Sequence, residues 1–257
     1  MKRLKTLLAV DGRRMFRSGW FWILMGACLV MPILILVMTT LMDGSVTVNP
    51  QTGAETVLEG FDNVWQIIGS TSDHAMSSEM SMTAMCNLNL LYFLFPALVC
   101  VFVAQDFRSG FAKNIFAIRA TVSGYVASKS IVCSLGAMAM LLAFVLGSLL
   151  GGVLAGLPFE MVGFTSGQLA LCILCKLLLA PVFVALDLCM SVIAKDKAWL
   201  SILLAVMAGM FLFMMIGMLT PLDAGVAQVG LCLAGSALFG VGLGAVSRLL
   251  LTKRDLL

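Results

Sequence analysis

Long apolar runs alternate with short polar connections along this chain. Six runs stand out, at 20–42, 87–104, 130–155, 169–194, 199–219 and 226–247. Crossing the hydrocarbon of a bilayer takes about 20 apolar residues in a helix. The pattern therefore predicts six transmembrane helices in an all-α polytopic membrane protein. Two further segments have helical periodicity without the length to span. In 2–18, Leu4, Leu7, Leu8 and Met15 gather while basic residues fill the rest, as in an interfacial helix on an anionic leaflet. In the connection 43–86, Val57, Leu58, Phe61, Val64, Trp65 and Ile68 recur at helical spacing. That segment is too long for a mere turn and predicts an external cap on the bundle.

Small residues recur every fourth position in two runs, Ala139, Ala143, Gly147, Gly151 and Ala155 in the third and Ser236, Gly240 and Gly244 in the sixth. Such rows let helix backbones approach closely, either within one chain or at a dimer seam. Pro32, Pro96 and Pro181 fall inside runs and predict kinks.

Charge gives the runs a direction. Residues 43–86 hold six acidic side chains (Asp43, Glu55, Glu59, Asp62, Asp73, Glu79) and no Lys or Arg. The connections 156–168 and 220–225 add Glu160 and Asp223, again without a basic residue. Lys2, Arg3, Lys5, Arg13, Arg14 and Arg17 precede the first run; further basic residues sit in 105–129, 195–198 and the tail. Basic residues resist translocation, so both termini are expected in the cytoplasm, with 43–86 outside. The first run has no small-residue cleavage site nearby and is expected to be a transmembrane helix, not a leader. At 61% hydrophobic and 11% charged the composition excludes an ordinary soluble domain. The basic residues border spans, so they read as topology determinants and not as a nucleic-acid surface.

Candidate chemistry is sparse. No phosphate-binding G-x-x-x-x-G-K-[ST] loop, G-x-S-x-G elbow or H-E-x-x-H pair occurs. Seven of eight cysteines lie within apolar runs, and Cys172-x-x-Cys175, flanked by Leu171, Ile173 and Leu174, reads as packing despite its redox spacing. His74, Met76, Met80, Met82, Met85 and Cys86 have soft-metal chemistry. With 19 methionines in the chain, however, methionine reads as general apolar filler, and no metal site is assigned. A deformable face of Met207, Met210 and Met214 would suit an apolar or amphipathic passenger. Lys176 and Asp187 are the charges inside a run. Eleven residues leave about 20° of net rotation and about 16 Å of rise, so they share a side but cannot pair directly. They either face a translocation path or are tolerated by snorkelling or interhelical pairing.

The most specific signal lies in 105–129. Asp106, Phe107, Arg108, Ser109 and Gly110 precede Phe111, Lys113, Asn114, Ile115, Ile118 and Arg119, a short helix with an apolar face and basic flanks. An exposed apolar face of this kind marks either a docking site or another membrane-surface helix. This run, with Tyr125 and Lys129 leading into the third span, resembles the ABC-2 type permeases of bacterial ABC transporters. It is similar in particular to small six-span subunits related to lantibiotic-immunity and peptide-toxin exporters. Phe111 stands where many relatives have a small polar residue, and Ser123 lies near a position where arginine is common.

The resemblance implies a type V exporter-like transmembrane domain with an N-terminal interfacial helix (1–19), a long first extracellular loop and a coupling helix in 105–129. Asp106, Arg108, Gly110, Phe111, Lys113, Asn114 and Arg119 would lie at or beside a groove of a separate cytoplasmic ATP-binding subunit. That subunit would bind ATP and Mg, and a second permease copy or paralogue would complete the transporter. The chain itself would carry no cofactor and no ATPase activity. Two other readings stay open: an ion-coupled secondary transporter working through Lys176 and Asp187, and a non-transporting peptide-binding or immunity protein that uses the acidic outer loop.

Overall fold

The computed structural model describes residues 2–48, 55–57, 60–71, 86–117, 121–195 and 197–253. Its helices are α1 (Lys2–Arg17), α2 (Gly19–Met42), α3 (Phe95–Arg108), α4 (Phe111–Ala117), α5 (Val122–Ala155), α6 (Ser166–Ala194), α7 (Ala198–Leu219) and α8 (Val226–Lys253). A small antiparallel pair, β1 (Val46–Val48) with β2 (Glu55–Val57), follows α2 and sets Val46 opposite Val57.

Among the described residues five helical segments are long and apolar enough to cross a membrane: Gly19–Met42, Leu88–Arg108, Val122–Ala155, Ser166–Ala194 and Val226–Thr252. By helix length and hydropathy the chain is a multi-pass membrane protein. In α7 the corresponding apolar stretch is the shorter Ala198–Phe213.

Local chemistry sets the helix ends. The Thr121 side chain accepts from Gly124 N to start α5, and Gly156 closes that helix in the left-handed conformation (φ 71°). Thr165 and Gln168 form a reciprocal capping box at the start of α6. The second predicted span is not one regular helix. A 3-10 segment, Leu88–Phe93, starts from an Asn87 cap, and α3 begins only at Phe95. Pro96 therefore sits in the first turn of α3, where a missing N–H costs nothing, and the kink expected there is a helix start. Pro32 and Pro181 do lie inside α2 and α6.

The bundle is built around α5 and α6. α2 runs along α5, α8 along α6, and α3 and α7 close the other side of α6. The α2–α5 seam uses the predicted row of small residues. A β-carbon on Gly147 would overlap the Leu29 carbonyl oxygen, and one on Gly151 would come within 2.9 Å of Ile33 Cα. These glycines let two backbones touch within the chain. The row on α8 is different: at Gly240 and Gly244 a β-carbon meets nothing within 4 Å.

The connection 43–86 departs from its helical periodicity. Val57 belongs to β2, and Val64–Ile67 is a single 3-10 turn capped by the Asn63 side chain. Leu58 lies outside the described residues. Phe61, Val64, Ile67 and Ile68 are nevertheless buried. Val64 N donates to Pro158 O, Trp65 Nε1 to Phe159 O, and Leu222 N to Ser70 O, so this segment is laced to the connections that follow α5 and α7. The periodicity records burial of an irregular segment, not a helix.

Candidate functional site

Three α-helices meet at the basic end of the bundle around a buried charge cluster. α1 contributes Asp11 and Arg14, α3 contributes Asp106, and the first two turns of α5 contribute Tyr125, Ser128 and Lys129. Lys129 Nζ lies 2.6 Å from Asp106 Oδ2 and donates to Asp11 Oδ1 at 2.8 Å. Ser128 Oγ donates to the other Asp11 oxygen at 2.7 Å, and the Tyr125 hydroxyl donates to Asp106 Oδ2 at 2.9 Å. Arg14 Nη1 comes within 2.7 Å of Asp106 Oδ1, close but not aligned as a hydrogen bond, so that pair is an ion contact.

The two carboxylates and two cations balance. This neutrality, with hydrogen bonds on both acids, is what makes such burial tolerable. Asp11, Asp106, Ser128 and Lys129 are all 1% exposed or less. Aromatic faces complete the enclosure: Lys129 Nζ sits 4.0 Å from the centre of the Phe102 ring, and the Arg14 guanidinium 4.0 Å from that of Phe111.

The residues singled out in 105–129 take different places in this arrangement. Asp106 faces inward and holds both cations. Phe111, at the start of α4, is half-buried beneath Arg14 and is not a free apolar docking face. Gly110 takes φ 71° to turn the chain from α3 into α4, a conformation that other residues adopt at a cost. Ala112 is buried, Ile115 half-buried, and Arg108 and Asn114 exposed. The Lys113 side chain, Ile118 and Arg119 lie outside the described residues.

A second polar locus lies within α6. Lys176 is 1% exposed and does not snorkel: its Nζ donates to Asn89 Oδ1 at 2.6 Å and to Thr220 Oγ1 at 3.0 Å. Tyr92, on the same 3-10 segment as Asn89, donates its hydroxyl to the Lys176 carbonyl oxygen at 2.9 Å. Among the described residues no carboxylate pairs with Lys176. Asp187 is equally buried, and its Oδ2 has no hydrogen-bond partner among the described residues. Its backbone carbonyl oxygen accepts from Ser191 Oγ at 2.7 Å.

The residues expected to line one path do not converge within the chain. Lys176 and Asp187 point into the bundle, whereas Met207 and Met210 on α7 are more than half exposed on its outside. The Met214 side chain lies outside the described residues, as do His74, Met76, Met80, Met82 and Met85. Cys172 and Cys175 are buried free thiols; Cys172 Sγ donates to the Thr220 carbonyl oxygen at 3.4 Å, consistent with packing.

Sequence reasoning missed Asp11 and Asn89. Each carried a signal: Asp11 is the lone acid in a strongly basic segment, and Asn87-x-Asn89 interrupts an apolar run.

No protein-family model, characterised protein or solved structure matches the chain.

Proposed function

We propose that the chain is the membrane-spanning permease subunit of an ATP-driven ABC-2 type exporter, moving a hydrophobic or amphipathic substrate such as a peptide, antimicrobial peptide or drug out of the cell or its membrane. In this reading α7 is a sixth span, both termini are cytoplasmic, and ATP with Mg binds a separate cytoplasmic subunit. One observation carries the reading. The short helix α4 sits between two spans on the basic side and is fixed to α1, α3 and α5 through Arg14, Phe111 and the buried cluster. A push on α4 from a nucleotide-driven partner would enter three helices together. The exposed surface for such a partner is Arg108 and Asn114, with Asp106 and Phe111 acting as internal braces. The outward Met207 and Met210 would meet lipid, substrate or a second permease copy.

The test is coupling. The purified chain should hydrolyse no ATP, should co-purify with an ATP-binding subunit encoded beside it, and should support ATP-dependent transport with it. Hydrolysis by the isolated chain, or failure to recruit such a subunit, overturns the reading.

The unpartnered Asp187 oxygen favours one competing reading, a transporter driven by an ion gradient, because uncompensated carboxyls inside spans usually serve ion or proton movement. Transport that persists without ATP and is abolished by Asp187→Asn would select it.

A further inference from the structure

Three buried thiols gather where α6, α8 and the end of α7 meet. Cys172 and Cys175 come from α6 and Cys232 from α8, and none is more than 1% exposed. Cys172 Sγ donates to the Thr220 carbonyl oxygen, and Cys232 Sγ to that of Leu219 at 3.8 Å, so both reach one short stretch of backbone. The Cys175 thiol hydrogen-bonds to the Cys232 thiol, and this pair bridges α6 and α8 directly.

Lys176 stands in the same place. Its ammonium donates to Asn89 and Thr220, two neutral oxygens, and all three thiols lie within its electrostatic reach. A buried cation held only by neutral acceptors is costly, and a neighbouring anion offsets that cost. Thiols can become that anion, because metal binding strips their protons. Among the described residues no group of three or more Cys, His, Asp or Glu closes around an ion. A two-thiol donor set disfavours zinc, which takes four ligands, and favours a soft ion that accepts two thiolates in line. A monovalent ion also fits the charge. With both thiols protonated, the locus carries the single positive charge of Lys176; gain of one monovalent cation and loss of two protons makes it neutral.

We infer that Cys175 and Cys232 form a two-coordinate site for a monovalent thiophilic metal ion of the Cu(I) type, with Lys176 as its buried counter-charge. On binding, two S–H bonds break, two sulfur–metal bonds form, and both protons leave to solvent; no electron is transferred. The site does not depend on the transport reading. The bound ion would tie α6 to α8, one turn from the Lys176 hydrogen bonds.

Anaerobic titration of the phosphine-reduced full chain in detergent with Cu(I), against a chromogenic Cu(I) chelator, tests this. C175S/C232S should bind one equivalent fewer than the wild-type protein. C172S should bind as many as wild type, and so should C28S, which removes a buried thiol on α2. Lys176→Met should keep the equivalent but weaken it about tenfold, the scale on which one nearby charge shifts an ionising group. X-ray absorption of the loaded wild-type protein, which needs no variant to fold, should show two sulfur neighbours and no third. An unchanged count in C175S/C232S overturns the site. Loss of the equivalent in C172S, or a third sulfur around the metal, overturns the paired geometry. Unchanged affinity in Lys176→Met overturns the counter-charge. Absence of any tight equivalent in the wild-type protein overturns the inference altogether.

Discussion

The Lys129 ammonium lies 2.6 Å from an Asp106 carboxylate oxygen, and neither side chain is exposed at all. One contact thereby closes the foot of α5 onto the C-terminal end of α3. Asp11 reaches the same ammonium from α1, so three segments distant in sequence share one proton-rich centre. Deleting one member strands the others without solvent.

That dependence predicts a non-additive mutant pair. Lys129→Met leaves two buried carboxylates facing a single arginine and should cost about 3–5 kcal/mol. Asp106→Asn should also destabilise. Removing both restores the count of one acid to one cation, so the double variant should lose clearly less than the sum of the singles. Thermal unfolding of detergent-solubilised protein, read by circular dichroism, measures it. Strict additivity would mean that the cluster does not act as a unit.

The Lys176 locus predicts an order of severity. Asn89→Leu leaves the Lys176 ammonium buried with Thr220 as its remaining side-chain acceptor. Lys176→Met removes the charge itself. Stranding a buried charge costs more than replacing it with an apolar chain of similar shape. Asn89→Leu should therefore be the worse variant, by about 1–3 kcal/mol, the usual penalty for an unsatisfied buried group. The reverse order in the same unfolding assay would place that ammonium in water.

Two glycines in similar small-residue rows should respond oppositely. Gly147→Ala collides with the Leu29 carbonyl and forces α2 from α5, at about 1–3 kcal/mol for overpacking. Gly240→Ala meets open space, and alanine is the better helix former by about 1 kcal/mol. Melting temperature should fall in the first and hold or rise in the second. A drop in both would mean that another surface covers α8 in the purified protein.

Cysteine chemistry gives a direct check of sidedness. Cys86 is partly exposed, whereas the other seven cysteines are buried. A membrane-impermeant maleimide added to intact cells should label the chain once, and Cys86→Ser should abolish the signal. Labelling only after the membrane is broken would invert the orientation.

What the sequence made legible, and what it did not, follows from the range of the interactions. Span positions are local properties of hydropathy, and α2, α6 and α8 begin within a few residues of where the runs begin. The start of α5 lies two turns earlier than expected, because Tyr125, Ser128 and Lys129 look polar enough to be loop yet are paired with Asp11 and Asp106. Asp11 and Lys129 stand 118 positions apart, and no periodicity connects them. The apolar spacing at 57–68 marked burial correctly and conformation wrongly, since an irregular segment can hide side chains as well as a helix does. Phe111 looked exposed because its cover, Arg14, comes from the other end of the amphipathic helix α1.

The 34 residues of α5 contain no proline. At about 1.5 Å per residue the rod measures about 51 Å, against a hydrocarbon thickness of about 30 Å, so it stands well clear of the oil. Its protruding foot is gripped by salt contacts, while its far third is notched into α2 at Gly147 and Gly151. Such a beam is held near both ends, for Gly152, which abuts Val64, lies one residue beyond the α2 notch. A sideways nudge below would bow the unnotched stretch between the two grips instead of tipping the rod.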